Sequence, residues 1–188
     1  MEVDRAPTSV IFLGDQGVGK TSLISRKNYG ELRTEVQQTV GVNNYPMYVR
    51  NEKLIVYDTA GQERYRAIVS SHLRGDIFVI CFDMKNQSTL ESADYWIEKV
   101  RNNCNNPHFI FVGTKIDMLD EDINSQVAEE KARDVNADVV YTSSMTGQGI
   151  DELFNLIAEI AQDVVHETQQ SIHIIDDENQ EEVKRKCC

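Results

Sequence analysis

The residues best suited to chemistry in this 188-residue chain are eight in a row: Gly14-Asp15-Gln16-Gly17-Val18-Gly19-Lys20-Thr21. They match G-x-x-x-x-G-K-[ST] and lie between a strand-like run, Ser9 to Leu13, and a helical pattern, which is the context the spacing requires. Glycines let backbone N–H groups close around phosphate oxygens. The helix N-terminus behind them adds partial positive charge. Lys20 can reach the β- and γ-phosphates of a nucleoside triphosphate, and the Thr21 hydroxyl can ligate Mg²⁺. Asp15, Gln16, Gly17, Val18, Gly19 and Ser22 complete the expected phosphate-binding set.

Phosphate binding alone does not separate kinase, ATPase and GTPase. Two further segments do. Asp58-Thr59-Ala60-Gly61-Gln62-Glu63 follows a strand-like run from Lys53 to Tyr57. Asp58 is placed to hold Mg²⁺ through water. Gly61 can offer its N–H to the γ-phosphate at low steric cost, and Gln62 can orient an attacking water. Thr114-Lys115-Ile116-Asp117 follows the run Phe109 to Gly113. A carboxylate at Asp117 can accept two hydrogen bonds from the N1 and N2 edge of guanine. Adenine has no such donor pair, so Asp117 selects GTP over ATP. The aliphatic stem of Lys115 can lie along the base.

Elements must hold these groups in place. Val42 to Val49 and Lys53 to Tyr57 read as a hairpin around Arg50-Asn51-Glu52, and Pro46 marks the first of them as an edge strand. Ile77–Phe82, Phe109–Val112 and Val139–Tyr141 are continuous apolar runs, as in parallel strands covered on both faces. Ser88 and Glu91 have capping-box spacing, and Leu90, Ala93, Ile97 and Val100 then share a helical face. Ile150, Leu153, Phe154, Ile157, Ala161 and Val164 do the same. Strand–helix alternation predicts an α/β fold, a mostly parallel sheet with helices on both sides. Residues 1–7 read as an N-terminal extension, 8–165 as the domain and 166–188 as a flexible tail.

Composition excludes other classes. The chain carries 19 basic and 31 acidic residues, a formal charge of −12, which disfavours sequence-independent nucleic-acid binding. Residues 1–116 are nearly balanced, with 14 basic and 13 acidic residues, while residues 117–163 hold 2 basic and 12 acidic ones. The acidity therefore sits on the base-reading side. Cys81, Cys104, Cys187 and Cys188 form no disulfide framework. The longest apolar run, Ile77 to Phe82, is far short of the roughly 20 residues that span a bilayer. The opening Met1-Glu2-Val3-Asp4-Arg5 lacks an apolar signal core, so a reducing cytosolic setting is expected. His72, His108, His166 and His173 show no metal spacing with cysteines.

Over about residues 8–165 these segments resemble the small GTPases of the Ras superfamily, in the order that family uses. The resemblance implies the P-loop small G-protein fold, with a six-stranded sheet and one antiparallel edge strand. It implies that Thr39 is the switch threonine that ligates Mg²⁺ and contacts the γ-phosphate. Thr21, Thr39 and Asp58 would then form the metal site, and Lys20, Thr39 and Gln62 the catalytic set. It also implies that Thr142, Ser143 and Ser144 form the last guanine-contacting loop. Within the superfamily, Asp58 to Arg66, Thr39-Val40-Gly41-Val42 and the Cys187-Cys188 end look most like Rab proteins. A terminal Cys-Cys is similar to the doubly prenylated Rab end, and two lipid chains give the stable anchor that one does not.

That resemblance implies a monomeric switch in vesicle traffic on the cytosolic face of an intracellular membrane. Its partners would be an exchange factor, an activating protein, effectors, and the Rab escort protein and dissociation inhibitor. Several positions depart from the pattern. Asn44, Tyr57 and His72 stand where Rabs carry an aromatic surface triad, of which only Tyr57 keeps such a ring, and Leu32 stands where an aromatic ring covers guanine. Thr114 replaces asparagine, Ser144 replaces alanine, and Gln16 replaces a small residue beside the γ-phosphate. Gln16 can crowd an incoming arginine finger, so slow, weakly stimulated hydrolysis is expected. The rivals are a nucleotide-held binding module, a Ras- or Rho-like signalling protein and, last, a nucleoside kinase.

Overall fold

The computed structural model describes residues 6–31, 39–61, 75–119 and 125–164. Six strands form one sheet: β1 (Thr8–Leu13), β2 (Val42–Val49), β3 (Glu52–Thr59), β4 (Ile77–Asp83), β5 (His108–Thr114) and β6 (Asp138–Tyr141). Their spatial order is β2-β3-β1-β4-β5-β6. β2 runs antiparallel to β3, and every other pairing is parallel. Among the described residues the α-helices are α1 (Lys20–Tyr29), α2 (Gln87–Glu91), α3 (Ala93–Arg101), α4 (Ser125–Asp134) and α5 (residues 150–164). Among the described residues, no helix is long and apolar enough to cross a membrane.

Period-two alternation sorts the strands onto two cores. Val10, Phe12, Val79, Cys81, Ile110 and Val112 pack with Leu23 and Ile24 of α1 and with Leu153, Phe154 and Ile157 of α5. Ile11, Leu13, Phe78, Ile80, Phe82 and Phe111 face the opposite way. There they meet Leu90, Ala93, Trp96, Ile97 and Val100 of α2 and α3, and Ala128 and Ala132 of α4. The strands read as continuous apolar runs because both faces are covered. Pro46 sits on the edge strand β2, as its missing N–H requires.

Several expectations shift in detail. The β2–β3 turn is tighter than the three-residue turn the sequence predicts. Arg50 and Asn51 both have positive φ, 47° and 69°, the geometry of a two-residue hairpin loop. Ser88 and Glu91 do not cap the helix. The Asn86 side chain accepts the Ser88 N–H at 3.2 Å and the Ser88 hydroxyl at 2.8 Å, so the start moves back by two residues. The helix then breaks at Ser92, and α3 carries the rest of the apolar face. Thr114 lies inside β5, paired with Asp83, and not in the loop beyond it.

Candidate functional site

Among the described residues, the chemistry-bearing groups gather at the carboxyl ends of the strands, the usual ligand edge of such a sheet. β1 delivers Gly14, whose φ is +135°. A Cβ there would lie 2.1 Å from the Cys81 carbonyl oxygen, so the loop can turn over β4 only with glycine. Gly19, at φ 102°, precedes α1 and supplies no side-chain cap, leaving the first N–H groups of the helix for an anion. Val18 is buried, Asp15 and Gly19 are half-buried, and Gln16 and Gly17 are exposed at the tip. Thr21 and Ser22, in the first turn of α1, are half-buried.

Lys20 is buried, and its Nζ donates to the carbonyls of Gly14 at 2.6 Å and Asp15 at 2.9 Å. The ammonium thus sits inside the loop that would hold phosphate. Burial pulls its pKa down, against the opposing influences of Cys81, Asp58 and Asp15. Cys81 lies beneath and is inert, since burial pushes its thiol up to about 12.

Asp58 is fully buried near the end of β3. Its Oδ2 accepts from Thr21 Oγ1 at 2.7 Å and from Thr39 Oγ1 at 3.2 Å, and the two hydroxyl oxygens are 2.8 Å apart. The three residues expected to hold metal are thus brought together from α1, the segment before β2, and β3. Burial pushes the Asp58 carboxyl up, while the Thr21 hydroxyl, Lys20 and the Thr39 hydroxyl hold it down, in that order. Asp58 Oδ1 is buried with no hydrogen-bond partner among the described residues. An orphaned carboxylate oxygen beside two hydroxyls suits a hard cation with oxygen ligands, so the set fits Mg²⁺. No group of three or more His, Cys, Asp and Glu able to hold a metal occurs among the described residues.

Gly61 closes this end. A Cβ on it would fall 2.3 Å from the Asp15 carbonyl carbon and 2.4 Å from the Gln16 nitrogen. The Gly61 backbone therefore rests on the phosphate loop.

On the base side, Thr114 is buried, and its hydroxyl points inward. It lies 2.5 Å from the Val18 carbonyl and 2.9 Å from that of Phe82. Thr114 thus bolts β5 to the phosphate loop and to β4, a role its expected place in a base-contacting loop did not suggest. Lys115 adopts a left-handed conformation, φ 62°, and its Nζ reaches Asp83 Oδ2 at 2.7 Å. Asp117 is exposed, and its Oδ1 accepts from Ser143 Oγ at 2.5 Å. Ser143 is itself held by N–H donation to Gln148 O at 3.0 Å. Thr142 is buried and donates its N–H to Gly113 O at 2.7 Å, while Ser144 is half-buried in the turn beyond. Asp83 is the site neighbour the sequence reading missed. Its signal was a lone carboxylate closing the apolar run Ile77 to Phe82. Gln62, Leu32, His72, Cys187 and Cys188 lie outside the described residues.

A phosphate loop after the first strand, with a carboxylate that can read a base after the fifth, is the layout of a P-loop nucleotide-binding domain of the small G-protein kind. The model of the Ras family matches residues 9–163, and the chain belongs to that family. It is therefore a small GTPase of the Ras superfamily, a GTP-binding switch whose relatives generally use Mg²⁺, exchange factors, activating proteins and effectors.

Proposed function

We propose that this GTPase is a Rab-like switch in membrane traffic. One observation carries the switch reading: the Thr39 hydroxyl donates to Asp58 and lies 2.8 Å from that of Thr21, so the segment before β2 can be latched to the metal residues. With GTP bound, Thr39 and Gly61 are tethered and both switch segments are ordered. Loss of the γ-phosphate removes those tethers. The Rab assignment is supported by Asp58 to Arg66, by Thr39 to Val42, and by Cys187-Cys188.

In hydrolysis, Lys20 gives up its two loop carbonyls and donates to the phosphate oxygens. Backbone N–H groups of residues 16–21 and of Gly61 stabilise charge on the transferred group. Gln62 orients the water for in-line attack. Thr21, Thr39 and, through water, Asp58 would hold Mg²⁺, which would supply charge neutralisation for the phosphates. Asp117 accepts from the guanine edge, and the backbone of Ser144 contacts its carbonyl oxygen.

Membrane residence in this reading depends on Cys187 and Cys188, because residues 117–163 are strongly acidic and repelled by anionic lipid. Localising a tagged chain tests it. The unsubstituted protein concentrates on an internal membrane, and the Cys187→Ser, Cys188→Ser form spreads through the cytosol. Equal distribution of the two forms contradicts the reading. Recognition by the Rab escort protein and dissociation inhibitor follows from the same two thiols.

A second reading, a switch that hydrolyses slowly, is favoured by Gln16, exposed at the loop tip against which Gly61 packs. A single-turnover assay with activating proteins distinguishes it. Gln16→Ser raises stimulated turnover if the side chain obstructs an arginine finger, and unchanged turnover counts against that idea.

A further inference from the structure

We propose that Asp83 is a positioning residue for the nucleotide base, acting through Lys115. The inference rests on the guanine-nucleotide reading of the site and extends it to a residue outside the motifs.

Asp83 is fixed from several sides. It ends β4, is paired with Thr114 of β5, and donates its backbone N–H to Thr89 Oγ1 at 2.9 Å. One carboxylate oxygen, Oδ1, accepts the Lys85 N–H at 2.9 Å and so shapes the turn after β4. The other, Oδ2, accepts from Lys115 Nζ at 2.7 Å. The pair is sheltered, with side-chain exposures of 34% for Lys115 and 15% for Asp83. It is therefore screened less than a surface ion pair.

Lys115 needs such a partner. Its left-handed backbone is costly for a residue with a Cβ, and its side chain has four flexible methylenes to order. Anchoring the ammonium at Asp83 orders the stem before any ligand arrives. Two residues on, Asp117 is anchored separately by Ser143. The base-reading segment is thus tied at Lys115 to β4 and at Asp117 to the loop after β6. Ordering paid in advance lowers the cost of binding and slows release.

The two oxygens of Asp83 make the idea separable from a merely structural role. Asp83→Asn keeps an acceptor for the Lys85 N–H and removes the charge facing Lys115. Lys115→Met keeps an apolar stem and removes the ammonium. The full chain is loaded with fluorescent GDP in Mg²⁺, chased with unlabelled GDP, and followed for release. The expected result is that Asp83→Asn speeds release about fivefold, the scale of a partly sheltered ion pair. It adds nothing further in the Lys115→Met background, and Asp83→Glu restores most of the retention. Release from Asp83→Asn at the unsubstituted rate overturns the proposal. So does an equal acceleration in both backgrounds, which marks a fold defect rather than positioning through Lys115. Failure of the unsubstituted chain to retain GDP overturns the guanine-nucleotide reading itself, and the inference with it.

Discussion

The Thr114 hydroxyl donates to the Val18 carbonyl at 2.5 Å, so the tip of β5 is bonded directly to the phosphate loop. The same hydroxyl lies 2.9 Å from the Phe82 carbonyl. One small side chain therefore joins the base-reading and phosphate-reading parts of the site. Thr114→Val preserves the shape and takes away the donor to the Val18 carbonyl, at a cost of about 1–3 kcal/mol. A lower unfolding midpoint and faster nucleotide release are expected together, with Thr114→Ser recovering most of both. A Val variant as stable as the parent contradicts this role.

Asp58 presents one oxygen to two hydroxyls and buries the other without a partner. The orphan oxygen marks the cation side. Asp58→Asn keeps the shape and halves the acceptor capacity. It is expected to weaken Mg²⁺ binding at least about tenfold, the floor for loss of even an outer-sphere metal partner. Chelating the metal accelerates GDP release from the parent chain and has little effect on the variant. Equal sensitivity to chelation in both proteins rejects the assignment.

Lys27 donates to Asp151 at 2.7 Å, joining α1 to α5, and this hydrogen bond holds the Asp151 carboxyl below its ordinary range. Because the folded-state pKa is lowered, the stabilisation is present above the unfolded carboxylate pKa. It is lost as pH falls through the lower, folded value. Asp151 is largely solvated, so the pair contributes under about 1 kcal/mol. Thermal melts of Asp151→Asn are expected to differ slightly from the parent at pH 7 and to coincide at pH 2. A larger gap in acid than at neutrality reverses the sign and refutes it.

The parts of the fold most legible in sequence were those with one strong physical cause. β4 and β5 stood out because burial on both faces demands unbroken apolar runs. The phosphate loop stood out because glycine, lysine and threonine each have a distinct task there. α4 was silent, since it buries only Ala128 and Ala132 and presents mostly charge. The helix start was misjudged because Asn86 competes with Ser88 for the same cap, and pattern alone does not rank them. Lys115 with Asp83 and Thr114 with Val18 were invisible because their separations, 32 and 96 residues, are spanned only by the folded sheet.

The central claim is that Asp117, held by Ser143, reads guanine at a site whose phosphate end is built by Lys20 and Thr21. Equilibrium binding of fluorescent guanine, adenine and xanthine diphosphates to the parent chain and to Asp117→Asn tests it most directly. Xanthine carries a carbonyl where guanine carries its 2-amino group, so an amide donor at position 117 matches it. The account predicts that the parent prefers guanine over adenine by at least about a hundredfold, since adenine leaves the Asp117 carboxylate without its donor pair. It predicts that Asp117→Asn exchanges guanine for xanthine. Equal binding of adenine and guanine by the parent, or a variant that keeps its guanine preference, would contradict it.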